Sequence, residues 1–167
     1  MKNLKEEIQS VVSIYQSGNL SEAEQLTEKL IDSNPNIAFL YNLLGLIFVS
    51  QNKINQALKA YEKGIKIEPN FAMIYNNLGL LFYNHLSNIE KAKENYKKSI
   101  SLNDKIPEPH TNLGNLYNSE NKIIEAIECH KKAIEINPKF SFAHHNLANV
   151  YLSTGKFDEA RKSLQES

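Results

Sequence analysis

Five histidines, one cysteine and a recurring asparagine are the side chains whose chemistry could matter most in this chain. The histidines are His85, His110, His130, His144 and His145. A zinc or catalytic centre needs such groups at ligand spacing, and that spacing is missing. His144 and His145 are chain neighbours, and neighbouring side chains on a helix point about 100° apart. Cys129 has no Cys-x-x-Cys partner, and His130 beside it falls on another helical face, so an activated thiolate is not expected. A lone cysteine forms no internal disulfide and fits a reducing, cytoplasmic type of compartment. The glycines form no phosphate-binding loop. Carboxylate pairs such as Glu6-Glu7 and Asp158-Glu159 read as solvated charges at helix starts. The chain therefore reads as non-catalytic, with no metal and no cofactor.

The charge balance narrows the partners. Nineteen basic and nineteen acidic residues in 167 give a formal net charge of zero. A nucleic-acid site needs a basic stripe. The richest candidate, Lys91, Lys93, Lys97 and Lys98, is interleaved with Glu90 and Glu94, the spacing of surface i,i+4 pairs. The longest apolar run, Leu43 to Val49, is far short of the ~20 residues that span a bilayer. The segment from Met1 to Glu7 lacks the apolar core of a signal peptide. Neither nucleic acid nor membrane is expected as a partner.

The asparagine leads to the elements that must position it. Asn77-Leu78-Gly79 recurs as Asn112-Leu113-Gly114 and as Asn146-Leu147-Ala148, with an altered copy at Leu43-Leu44-Gly45. The spacings between the third residues are 34, 35 and 34. Other columns keep step. Ala23, Ala57, Ala92, Ala126 and Ala160 form one, and Thr27, Tyr61, Tyr96, His130 and Leu164 follow four residues behind. Larger residues precede each triplet at Tyr41, Tyr75, His110 and His144. Prolines close most units at Pro35, Pro69 and Pro138. A fixed period in this range marks a repeat array.

Tyr75-x2-Leu78-Gly79-x2-Phe82 followed by Ala92-x3-Tyr96 resembles the tetratricopeptide repeat. That resemblance implies two antiparallel helices per repeat and an all-α fold: an α-solenoid of about five helix-turn-helix units in a right-handed superhelix. The expected units are 4–37, 38–71, 72–106, 107–140 and 141–167. Helices are expected at Leu4–Gln16, Ile37–Ser50, Ile54–Ile67, Phe71–Asn84, Ile89–Leu102, Glu108–Ser119, Ile123–Ile136, Phe142–Ser153 and Phe157–Glu166. Ser21, with Glu24 three residues on, reads as the N-cap and capping box of the second helix. Proline stops the second helices, because it cannot continue one. Gly79 to Ala92 is one residue longer than Gly45 to Ala57, which puts an insertion in the turn around His85-Leu86-Ser87-Asn88. The first unit is polar where the others are apolar, with Glu7 and Ser10 in core columns, as an end cap requires. The last unit reads as incomplete. Phe157, Ala160 and Leu164 are expected to have an incomplete neighbour, leaving an open end whose apolar surface self-associates or meets more chain.

The resemblance also implies that the first helices line a concave groove. Its expected residues are Phe39, Asn42, Leu43 and Leu46, then Asn76 and Asn77, then Asn112 and Asn115, then His145, Asn146 and Asn149. A row of carboxamides can donate to and accept from an extended peptide backbone. The column Asn77, Asn112 and Asn146 is similar to one in the repeats of nucleocytoplasmic O-GlcNAc transferase that holds substrate backbone. It departs from that column at Gln9 and Leu43. Chaperone-binding members clamp a carboxylate with basic groups, but the corresponding places here hold Asn42, Asn77, Glu108 and Asn112, so that mode is not supported. The expected function is a protein-interaction module that binds a peptide. The alternative is the substrate-recognition part of a longer transferase.

Overall fold

The computed structural model describes residues 3–166. Met1, Lys2 and Ser167 lie outside it, so the first residues of the N-terminal segment and the expected last residue of the array are not among the described residues. These hold ten helices and no strand: α1 Leu4–Gln16, α2 Leu20–Ser33, α3 Ala38–Ser50, α4 Ile54–Ile67, α5 Ala72–Asn84, α6 Ile89–Leu102, α7 Pro107–Ser119, α8 Ile123–Ile136, α9 Ser141–Ser153 and α10 Phe157–Gln165. The chain is all-α, of the α-solenoid class, with helix after helix paired through short turns.

One expectation is corrected at α2. The helix begins at Leu20 with Asn19 in the cap position and no side-chain cap bond, so Ser21 is inside it. Left-handed Gly18 (φ 84°) already turns the chain before this point. Glu24, expected to close a capping box, is instead held by Lys53 and Gln51. A reciprocal capping box does exist, at α1. There Asn3 Oδ1 accepts the Glu6 N–H (2.9 Å), and the Glu6 carboxylate accepts the Asn3 N–H (3.3 Å).

The chain divides into two compact units. Unit 1 runs to Leu81 and unit 2 from Phe82, a boundary inside α5. In unit 1, Val11, Ala23, Leu30, Leu40, Leu43 and Ile47 form a buried cluster joining α1, α2 and α3. Tyr61 of α4 is fully buried with its ring against Gly45 of α3, so close that an added Cβ would overlap the ring. Helix-interior glycine costs roughly 1 kcal/mol in propensity, and this close approach is what it permits. In unit 2, Leu147, Ala148, Tyr151 and Ala160 cluster with Ile127 and Ile134. His130 of α8 takes the place that Tyr61 holds in unit 1, seated against Gly114 of α7.

The turns inside the helix pairs repeat one device. Gly18, Asn52, Ser87, Asn121 and Gly155 each adopt a left-handed φ. In three of these turns the chain closes by a backbone bond five residues back, as Lys53 N–H to Phe48 O, Lys122 N–H to Tyr117 O and Lys156 N–H to Tyr151 O. In the α5–α6 turn the closing bond is Asn88 N–H to Phe82 O, six residues back. The extra residue of the sequence lies there.

Candidate protein-binding surface

The helices sort by charge. α3, α5 and α9 carry no Lys, Arg, Asp or Glu, and α7 carries only Glu108. Their partners α4, α6, α8 and α10 hold alternating acids and bases. α1 is the exception among the first helices, with Lys5, Glu6 and Glu7, whereas α3, α5, α7 and α9 present asparagine, histidine and apolar side chains with Glu108 as their one Lys, Arg, Asp or Glu.

Within unit 1, Asn42, Leu43, Asn76 and Asn77 are buried, Leu46 is half-buried, and Phe39 is 39% exposed. The Asn77 Nδ2–H donates to Asn42 Oδ1 at 2.8 Å, tying α5 to α3. These two carboxamides hold each other. Within unit 2, Asn112, Asn115 and Asn146 are half-buried, and His145 and Asn149 are exposed. His145 Nδ1 donates to the Ser141 carbonyl (2.7 Å), so in its neutral form the other ring nitrogen faces outward as an acceptor.

The positions in unit 2 equivalent to Asn42 and Asn77, 69 residues further along, are Thr111 and Asn146. Thr111 Oγ1 and Asn146 Nδ2 are both buried, and neither has a hydrogen-bond partner among the described residues. Threonine carries its oxygen one atom nearer the backbone than asparagine does, so the tie closed in unit 1 is open in unit 2. Helical spacing puts Thr111 on the groove side with Asn112 and Asn115; what sequence reasoning missed is the open tie between Thr111 and Asn146. The signal was available in the column Asn42, Asn76, Thr111, His145, which breaks from asparagine at that point.

Models of the "TPR repeat" and "Tetratricopeptide repeat" match residues 45–85, 72–106, 107–140 and 131–162, together most of the chain. The chain belongs to the tetratricopeptide-repeat family. No curated protein matches it. Solved tetratricopeptide-type structures do. MamA is 22% identical, over 99% of this chain and 93% of that one, with a TM-score of 0.74. PilF of Pseudomonas aeruginosa is 20% identical, over 97% of this chain and 73% of that one, with a TM-score of 0.86. A thermophilic TPR protein of Thermus thermophilus is 20% identical, over 98% and 91%, with a TM-score of 0.80. At these identities the likeness is one of fold.

The tetratricopeptide framework accounts for the histidines. Tyr41 O–H donates to the Pro35 carbonyl and Tyr75 O–H to the Pro69 carbonyl, each at 3.0 Å. His110 Nε2 does the same to Asp104 (3.1 Å), and His144 Nε2 to Pro138 (2.9 Å). A carbonyl only accepts, so both rings carry their proton on Nε2. Burial lowers the His110 pKa and Lys132 lowers it further, against the Asp104 carbonyl and carboxylate, which raise it. Burial alone pushes His130 down to about 4. Cys129 is pushed up to about 11, by burial first and then by Glu128 and Glu125, which leaves it a thiol. Among the described residues no group of three or more His, Cys, Asp or Glu could hold a metal, and no helix is long and apolar enough to cross a membrane.

Proposed function

We propose that this tetratricopeptide chain is a non-catalytic protein-interaction module. It holds an uncharged, extended peptide segment against its first helices, in unit 1 along α3 and α5 and in unit 2 along α7 and α9. The observation that carries this reading is the charge sorting. Four helices with asparagine at recurrent positions hold only one ionised side chain, Glu108. Such a face binds backbone amides and apolar groups, not charges. Each hydrogen bond contributes only about 0.5–1.5 kcal/mol net, so several must act together. The groove residues are Phe39, Asn42, Leu43 and Leu46 with Asn76 and Asn77 in unit 1, and Asn112, Asn115, His145, Asn146 and Asn149 in unit 2. The repeat boundaries are those read from the period.

The test is selection of binders from a displayed library of random peptides, followed by titration in low and high salt. Binders poor in charge, with affinity insensitive to salt, support the reading. Replacing Phe39, His145 and Asn149, which reach solvent, by alanine should weaken binding at least tenfold with helicity unchanged. Unchanged binding in that variant, or binding that collapses with salt, overturns it.

The similarity of Asn77, Asn112 and Asn146 to the backbone-holding column of O-GlcNAc transferase repeats favours a second reading, in which the array selects substrates for a transferase. The mass of the protein from its source separates the two: near 19.0 kDa for the module alone, much larger for the transferase. Phe157 and Leu164, 68% and 44% exposed, are where self-association is proposed, checked by sedimentation of a Phe157→Ser variant. A cytoplasmic location, with neither nucleic acid nor membrane as partner, completes the reading.

A further inference from the structure

His130 is fully buried on α8, and neither ring nitrogen has a hydrogen-bond partner among the described residues. Its ring rests on Gly114 of α7, where an added Cβ would come within 2.8 Å of the ring carbon Cε1. Neutral imidazole already forgoes a donor and an acceptor there. The imidazolium would be a buried charge with nothing to meet it, a state that opens the structure or repels the proton. The equivalent residue in unit 1, Tyr61, gains no charge in acid.

We infer that unit 2 contains an acid-sensitive latch: protonation of His130 releases α8 from α7 while unit 1 stays folded. Nothing on the elements packed against α8 rescues the charge. α7 carries Glu108 as its one acid, almost two turns before Gly114, with His110 and Tyr117 as its other titratable groups. α9 has no charged residue, and its titratable groups are His144, His145 and Tyr151. On α8 itself Glu125, Glu128, Cys129, Lys131, Lys132 and Glu135 flank His130 in sequence, but burial is the one influence acting on its ring. His110 adds to the effect, since burial, and to a lesser degree Lys132 of α8, disfavours its charged form. His144 leaves a further buried nitrogen, Nδ1, without a partner in the same unit.

Linkage sets the direction. The ring accepts a proton near 6.5 when exposed and near 4 when packed. Closure is therefore fully favourable above 6.5 and weakens as pH falls below it.

Cys129, the single cysteine and the neighbour of His130, is a built-in reporter of α8. Its reaction with 4,4′-dithiodipyridine is measured at pH 7.5 and 5.5, each rate divided by that of the urea-unfolded chain at the same pH. Protection should fall about tenfold between the two pH values, as the shift in protonation requires. It should stay flat in His130→Tyr, or in His130→Phe should the tyrosine variant lose helicity. Hydrogen exchange in α3 and α4, corrected for its own pH dependence, should not change. Constant protection in the natural sequence, the same fall in the folded variant, or parallel loss in α3 and α4 would overturn the latch.

Discussion

Units 1 and 2 use the same helix pairs and opposite polar chemistry. Unit 1 closes the Asn42–Asn77 tie, and unit 2 leaves the equivalent Thr111 and Asn146 open. Unit 1 packs Tyr61 on Gly45, and unit 2 packs His130 on Gly114. Even the tie from a second helix to the next pair's turn is reversed. Glu24 of α2 receives Gln51 Nε2 (2.8 Å) and Lys53 Nζ (2.7 Å), whereas Lys93 of α6 gives its ammonium to Glu120, which also meets Lys122. The columns that stay constant are matters of volume: glycine or alanine where helices touch, a ring-sized group against it. Shape specifies this fold, and polarity is free to differ between copies. Unit 2 carries the greater burden of unpaired buried groups, each costing about 1–3 kcal/mol.

The largest expected break in the comparison is Tyr61→Ala, which empties a fully buried slot. It should destabilise unit 1 by about 3–5 kcal/mol in urea unfolding, with less loss from His130→Ala, which empties a smaller slot and deletes two unpaired nitrogens where Tyr61→Ala deletes one unpaired hydroxyl. Next is pH. With His130 near 4 in the fold and near 6.5 when exposed, unit 2 should lose up to about 3 kcal/mol as pH falls from 7 to 4, with none of that loss in unit 1. Thermal unfolding at stepped pH, followed by hydrogen exchange, separates the two. Asn77→Ala should cost about 1–3 kcal/mol by stranding the Asn42 carbonyl, and Thr111→Asn should return about 0.5–1.5 kcal/mol by making in unit 2 the tie that unit 1 has. Equal effects of asparagine and valine at 111 would mean that the tie does not form. Glu24→Gln is the smallest, about 0.2–1 kcal/mol. Burial works to raise the Glu24 pKa, but hydrogen bonds from Lys53 and Gln51 and the Lys53 charge hold it below the usual carboxylate range. Its contribution is therefore present at neutral pH and lost only as acid protonates it.

The helices were legible because the columns are dense. Ile54–Ile67, Ile89–Leu102 and Ile123–Ile136 follow from alanine, ring and proline spacing, and match the structure residue for residue. The extra residue was legible as well, since a change of period between Gly79 and Ala92 can only sit where packing is absent. What the sequence hid was polar pairing. Ser21 and Glu24 satisfy a capping-box pattern, yet Glu24 has partners 27 and 29 residues away that no local rule contains. Helical faces alone do not separate Asn42 and Asn77, which are buried together, from His145 and Asn149, which face solvent. Nor does a helical face show that the shorter side chain of Thr111 leaves Asn146 without the tie that Asn42 makes with Asn77.

The α5–α6 turn has a practical use. It already spans one residue more than its counterparts, closing through Asn88 N–H to Phe82 O, with His85, Leu86 and Ser87 exposed. The sequence period resumes after it, with Ala92 and Tyr96 back in their columns, and turns tolerate added length better than packed helices do. An epitope or a small fluorescent reporter spliced after Ser87 would be carried as cargo, which makes this turn the place to label the protein without touching either face of its first helices.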